Sequence, residues 1–235
     1  MKEYKKLWEV GSVPDFKDAF VDCVEGHYHA HSTGKVLHRD LSENNLMFDQ
    51  VGDLTIGILN DWDIASSLDD NGEVSTSTAR HHTGTIPFMA IDLLQSNPPA
   101  HLYRHDLESF FYILVWAAMN YDLKHKERCP IHRDIACWDS DLEQSRRSKF
   151  YFMMDVERST ALLSQVIPEF KGLVEEWIQP LWKMFYLGRI ARNLAAFGQV
   201  QGYDPATDGG HITFHNFMKA LGRAPRGLST ARVML

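Results

Sequence analysis

Cysteine is scarce in this sequence: Cys23, Cys129 and Cys137 are the only three among 235 residues. They make no disulfide framework and fit a reducing compartment. Long apolar runs are missing too. The longest, Phe110–Met119, is half of what a membrane span requires, so it reads as a helix buried on all sides, and no membrane partner is expected. Positive charge is in deficit, with 24 lysines and arginines against 31 aspartates and glutamates. A net charge of -7 argues against nucleic acid as the main partner, because phosphate binding needs a basic face. The first ten residues hold no apolar stretch of the kind that marks a signal peptide. These absences point to an intracellular protein, cytoplasmic or nuclear, and leave its oligomeric state open. The chain shows no internal repeat and no low-complexity segment. With 44% apolar and 23% charged residues it has the make-up of an ordinary globular protein with a sizeable core.

The stretch from Val36 to Ala65 organises the rest. Two short apolar runs, Leu46–Phe48 and Leu54–Leu59, flank a turn at Asp49–Asp53. His38, Arg39, Asp40, Asn45 and Asp61 stand at the ends of these runs. A strand pair that presents carboxylates and one carboxamide together needs a cation or a proton-transfer task to justify it. Before this stretch, Ser12-Val13-Pro14-Asp15 is a helix start with a hydroxyl cap and an early proline. Phe16, Phe20, Val24 and Tyr28 fall on one face of that helix, and Gly34 is placed to end it. Residues 66–83 are polar and aperiodic, and read as a long loop.

Further along, Ala90–Gln95 reads as a short helix stopped by Asn97-Pro98-Pro99, and His101–Tyr121 as the most apolar helix, the centre of the core. Residues 122–140 read as a polar surface loop that includes Pro130 and Trp138. Its His125, Cys129, His132 and Cys137 match no standard zinc spacing. Helical patterns return at Asp141–Gln165, Glu169–Phe197, with Pro180 kinking the latter, and Ile212–Leu221. The expected fold class is α+β, mainly α-helical, with one small β-hairpin region. The expected domain organisation is a single unit over 1–235: motifs in 36–109, a helical remainder in 141–221 and a loose tail in 222–235.

His38, Arg39, Asp40, Leu41 and Asn45 meet the H-R-D-L-x-x-x-N spacing of the protein-kinase catalytic loop. Asp61-Trp62-Asp63 stands where protein kinases carry D-F-G, Gly84–Asp92 is similar to their G-T-x-x-Y-M-A-P-E stretch, and His105-Asp106-Leu107-Glu108-Ser109 resembles the start of their long buried helix. Four motifs in the right order are far more specific than one. With D-W-D, and Ser42 after H-R-D-L, the chain most resembles the fungal-type protein kinase family, over residues 12–220. The resemblance implies a kinase C-terminal lobe that transfers the γ-phosphoryl group of ATP, with Mg2+, to Ser/Thr hydroxyls of a protein substrate. It implies that Asp40 orients or deprotonates the acceptor hydroxyl and that Asn45 and Asp61 bind magnesium. Thr85 would hydrogen-bond Asp40, and Asp106 would hold the backbone near His38 and Arg39. Arg39 would bind a phosphate carried by Ser75, Thr76, Ser77, Thr78 or Thr83. Asp92 keeps the acid of the A-P-E stretch.

The chain departs from that family in four places, the mildest being Ile91-Asp92 for Pro-Glu. Ser42 replaces the lysine that contacts the γ-phosphate, and Asp63 replaces the glycine of D-F-G, where a turn cap is the simpler role than a metal ligand. Only 37 residues precede His38, and they hold neither G-x-G-x-x-G nor V-A-I-K. The expectation is therefore a C-terminal lobe without the nucleotide-covering N-terminal lobe, inactive on its own. A non-catalytic scaffold is the alternative. D-W-D-I-A is also similar to aminoglycoside and choline kinases, a reading opposed by Arg39 and by the Gly84–Asp92 segment.

Overall fold

The computed structural model describes residues 3–69, Val74 and residues 84–226. The proposed phosphate carriers Ser75, Thr76, Ser77, Thr78 and Thr83, and the end of the tail, lie outside the described residues.

A long amphipathic helix opens the core. Helix α1 spans Val13–Ser32, with Ser12 as its cap: the Ser12 hydroxyl oxygen accepts the Asp15 N–H at 3.2 Å, and Pro14 sits in the first turn. Its inner face buries Phe16, Phe20, Cys23, Val24 and His27. The rings of Phe16 and Phe20 meet Phe170, Phe110 and Trp177 at centroid distances of 5.4, 5.8 and 6.0 Å. Gly34 follows the helix, but the left-handed residue is Lys35, at φ 53°. What Gly34 supplies is space, since a Cβ there would stand 2.7 Å from the Ala30 carbonyl oxygen.

Three strands form the main sheet in the order β1-β3-β4: β1 (Lys5–Lys6), β3 (Leu46–Val51) and β4 (Leu54–Leu59), all antiparallel. Asp49 and Gln50 pair with Ile56 and Thr55, so the expected five-residue turn shrinks to Gly52-Asp53, with Gly52 at φ +60°. Helix α1 crosses this sheet at Gly57. A Cβ on Gly57 would lie 1.9 Å from the Ala19 carbonyl oxygen, so only glycine allows the approach. The Gly57 N–H donates to Asp22 at 2.9 Å. A second pair joins β2 (Val36–Leu37) to β5 (Ser66–Ser67), which gives part of the long polar loop a fixed start.

The most apolar run is helix α2, Tyr103–Asn120, and every residue from Arg104 to Asn120 is buried. The following region is more ordered than its polarity implied. Strands β6 (Tyr121–Asp122) and β7 (Glu127–Arg128) form a hairpin, and Trp138 is fully buried between Tyr112 and Phe152. The surface reading of Trp138 fails because a ring of that size offered more area to the core than its polar neighbours could keep in water.

The expected helix over Asp141–Gln165 divides at Asp155 into α3 (Leu142–Met154) and α4 (Val156–Leu163), since the Asp155 carboxylate caps α4 by accepting the Arg158 N–H at 3.0 Å. Pro180 falls where the helix changes type. The short α5 (Lys171–Leu173) passes into a π-helical turn at Val174–Ile178, which leads into α6 (Gln179–Ala196) and places the proline in that helix's first turn. Helix α7 covers Phe214–Ala220. The start of the tail is tied down: Arg226 donates to Glu25 at 2.6 Å and to Asp22 at 2.6 Å. Among the described residues no helix is long and apolar enough to cross a membrane. The result is a mostly helical α+β molecule with small open sheets.

Candidate active site

The loop from His38 to Asn45 joins β2 to β3, and both ends are fixed by backbone. At the far end of the hairpin the Asn60 N–H donates to the Asn45 carbonyl at 2.9 Å, next to the Leu46–Leu59 pair. This sets Asn45 beside the residue that precedes Asp61. Among the described residues, two of the five non-glycine residues with positive φ stand here, Arg39 at 72° and Asp61 at 59°. Such backbone costs about 1–3 kcal/mol per residue and persists only where its surroundings enforce it.

His38 is buried and braces both sides of the loop. Its Nδ1 accepts the Asp40 N–H at 3.4 Å, so Nε2 carries the hydrogen and donates to the Asn60 carbonyl at 2.9 Å. Burial lowers its pKa, and the hydrogen bond to Asn60 with the nearby Asp106 and Asp40 charges opposes this only in part. The Trp62 ring lies 4.5 Å from the His38 ring.

Asp40 is half-buried at the mouth. One carboxylate oxygen accepts the Thr85 hydroxyl at 2.9 Å, across 45 positions of sequence. The Asn45 amide nitrogen donates to the Asp40 backbone carbonyl at 2.8 Å. That bond fixes the carboxamide and leaves its oxygen as the free donor atom. Asp61 and Asp63 are exposed. Asp40, Asn45, Thr85 and the backbone beside Asp61 therefore share one corner. Among the described residues no three His, Cys, Asp or Glu side chains gather closely enough to hold a metal by themselves. The oxygen donors of Asn45 and Asp61 are nevertheless of the hard type that magnesium takes alongside waters and phosphates.

Behind the corner lies Asp106, fully buried. Its carboxylate accepts the Arg39 backbone N–H at 3.3 Å, and it bonds His27 Nε2 at 2.8 Å and His101 Nε2 at 2.6 Å. Burial alone would raise its pKa. The facing histidines, His101 foremost, outweigh that and hold it well below the carboxylate range. Arg39 donates through Nη1 to the Ser66 hydroxyl at 2.6 Å. The segment that carries Thr85 is anchored further out by Asp92. That carboxylate accepts from Arg104 at 2.8 Å and from Arg192 at 2.6 Å, with Arg189 at 3.4 Å.

Three functional neighbours escaped the sequence reading. His27 sat in the apolar stripe of α1, where a buried imidazole demands a partner; that signal was present. His101 offered only its closeness to Asp106. Glu43 gave no signal at all. It is buried inside the loop and accepts from Trp116 Nε1 at 3.1 Å, from the Tyr121 hydroxyl at 2.9 Å and from Arg128 at 2.7 Å. Glu43, Thr85, Phe88, Trp116 and Arg128 line a cleft of about 550 Å³ that opens beside the Thr85–Asp40 contact.

No curated protein matches the chain. Residues 3–118 match the family described as fungal protein kinase, a span that runs from β1 to near the end of α2 and contains every motif residue named above. That match supports a kinase-like assignment of the chain at the level of the family.

Proposed function

We propose that this domain orients the acceptor hydroxyl in ATP-dependent phosphoryl transfer to serine or threonine of a protein. The reading is supported above all by the Thr85 hydroxyl on the Asp40 carboxylate, at the edge of a cleft of about 550 Å³. The acceptor hydroxyl oxygen would attack the γ-phosphorus, the bond from that phosphorus to the β,γ-bridging oxygen would break, and the hydroxyl proton would pass to Asp40. Thr85 fixes the carboxylate oxygen that faces it and leaves the other for the acceptor. Asn45 and Asp61 would hold Mg2+, which when bound neutralises the charge of the transferring phosphoryl group. Positioned general-base help of this kind contributes roughly 10²–10⁴ in rate.

The second reading is a non-catalytic scaffold. Ser42, where the resemblance has a lysine, favours it by removing one positive charge from the phosphate side. Incubation with Mg·ATP and a mixed protein substrate separates the two. Transfer that disappears in Asp40→Asn supports the enzyme. A protein that neither transfers phosphate nor gains about 2.7 kcal/mol of stability at nucleotide a hundredfold above its dissociation constant is the scaffold. Phosphorylation of sugars or choline in place of proteins would move the assignment to the small-molecule phosphotransferases.

A further inference from the structure

Among the described residues no lysine or arginine is more deeply buried than Lys149, which has no exposed surface at all. It projects from α3 under the segment 84–90. Its Nζ donates to the Ile86 carbonyl at 2.9 Å and to the Met89 carbonyl at 2.8 Å, and it stands 4.5 Å over the Tyr112 ring. Among the described residues no carboxylate comes within ion-pair distance of it. An ammonium placed this way is expensive to bury, and an apolar side chain would fill the same space at less cost. The two carbonyls explain it. Segment 84–90 contains one short 3-10 turn, so its carbonyls lack the regular ladder that a longer helix would supply.

The opposite face of the same segment touches the loop that holds Asp40. A Cβ on Gly84 would lie 3.3 Å from the Arg39 carbonyl oxygen and 3.1 Å from the Met89 side chain. Thr85, between Gly84 and Ile86, donates to Asp40. The segment is thus wedged between α3 on one side and the His38–Asn45 loop on the other. Lys149 grips the first and last carbonyls of the turn that begins one residue after Thr85.

We propose that Lys149 is a positioning residue: by holding the Ile86 and Met89 carbonyls it fixes the turn that keeps the Thr85 hydroxyl on the Asp40 carboxylate. The inference rests on the reading of Asp40 as the acceptor-orienting group, yet its geometry can be tested without turnover. In the full chain, isotopically labelled, the wild type should show through-hydrogen-bond couplings from the Lys149 ammonium or amine nitrogen to both carbonyl carbons. Its Thr85 methyl should report a single rotamer. Lys149→Met should average the Thr85 rotamers to the same extent as Asp40→Ala, which removes the acceptor directly. Phe214→Ala is the control for general loosening, because Phe214 stacks on Tyr28 at 3.8 Å, away from this segment. It should leave the Thr85 rotamer single.

A Lys149→Met protein with an unchanged Thr85 rotamer overturns the proposal. So does a Phe214→Ala protein that averages it equally, since the effect is then generic. If Lys149→Met does not fold, the wild-type couplings decide: both present with a single Thr85 rotamer support the role, and either absent overturns it. Where the wild type transfers phosphate, Lys149→Met should lower kcat at least tenfold with KM for ATP unchanged. Where it transfers none, the rotamer arms still decide the role of Lys149.

Discussion

Two groups of carboxylates lie close together in this chain and live under opposite conditions. Asp92, Glu108 and Asp208 are buried among Arg104, Arg189 and Arg192. Arg192 and Arg104 each reach both Asp92 and Asp208, and Arg189 joins Asp92 to Glu108. Asp92 and Asp208 accept at both carboxylate oxygens, and Glu108 accepts three bonds at one of its oxygens. At the mouth, Asp40 is half-buried with one hydroxyl on its side chain, and Asp61 is exposed. Acids so heavily partnered hold a fold together and have little left to offer a ligand. Sparingly partnered acids on an enforced backbone contribute little to stability and keep their oxygens for a ligand. The contrast separates the part of the chain that holds from the part that can act.

Breaking the buried layer should have the largest effect. Asp92→Asn removes the charge that three arginines share and leaves them facing one another. A loss of about 3–5 kcal/mol in unfolding free energy is expected from urea titration, as for other buried ion pairs cut on one side. Arg189 and Arg192, whose pKa values these acids raise in spite of burial, should then become the least stable groups of the layer. An Asp92→Asn protein as stable as the wild type would erase the distinction between the two groups.

Acid should attack the same layer in an order set by its pKa values. His105 is fully buried; its Nδ1 accepts the Leu102 N–H at 3.0 Å, and its Nε2 lies 3.6 Å from Asp92. Burial lowers its pKa to about 3, and the Asp92 carboxylate opposes this only in part. The unfolded chain takes up this proton near pH 6.5, well before the folded one does. Stability is therefore full above that pH and declines as pH falls toward 3, by up to about 1.4 kcal/mol per unit. Asp92 and Asp106 have depressed folded values, so their contribution persists down to about pH 4 and is lost below it. Urea titrations between pH 7 and 4 should show the His105 slope, and His105→Asn, which keeps an acceptor for Leu102, should reduce it by one proton.

At the sheet the expected change is smaller and purely steric. Gly57→Ala drives a methyl group into the Ala19 carbonyl and must lift α1 off β4. A cost of about 1–3 kcal/mol is expected from thermal or urea unfolding, with Asp22 losing its bond to the strand. A neutral substitution would mean that α1 and the hairpin are not held at the observed spacing.

Sequence order carried the His38–Asn45 loop, because its motif is local. His38, Arg39, Asp40 and Asn45 lie within eight positions, and the apolar runs that bracket them form the strands that fix their ends. The helices α1 and α2 were equally legible from caps and periodicity. What stayed hidden is long-range and polar. The bond from Lys149 to Ile86 spans 63 positions, and that from Arg192 to Asp92 spans 100. Neither leaves a periodic trace, and an arginine or lysine on a helix reads as surface until its partner is known. Trp138 was misplaced for the converse reason: a polar neighbourhood in sequence says little about which side chain turns inward. The turn at Gly52-Asp53 was drawn too long because Asp49 and Gln50 look like turn residues although the ladder recruits them.

Thr85→Val sharpens the contrast from the acting side. Valine keeps the shape of threonine and removes only the hydroxyl, so the Asp40 oxygen it served is left to water at the half-buried mouth. The stability loss should be about 0.5–1.5 kcal/mol, the smallest of the series, because one hydrogen bond is exchanged for solvent. If the reading of Asp40 is right, phosphoryl transfer should fall far more than stability. The carboxylate would be free to rotate away from the acceptor, and kcat should drop while KM for ATP stays put. Equal losses in activity and stability would place Thr85 with the holding residues. A large loss of stability with transfer intact would reverse the roles of the two layers altogether.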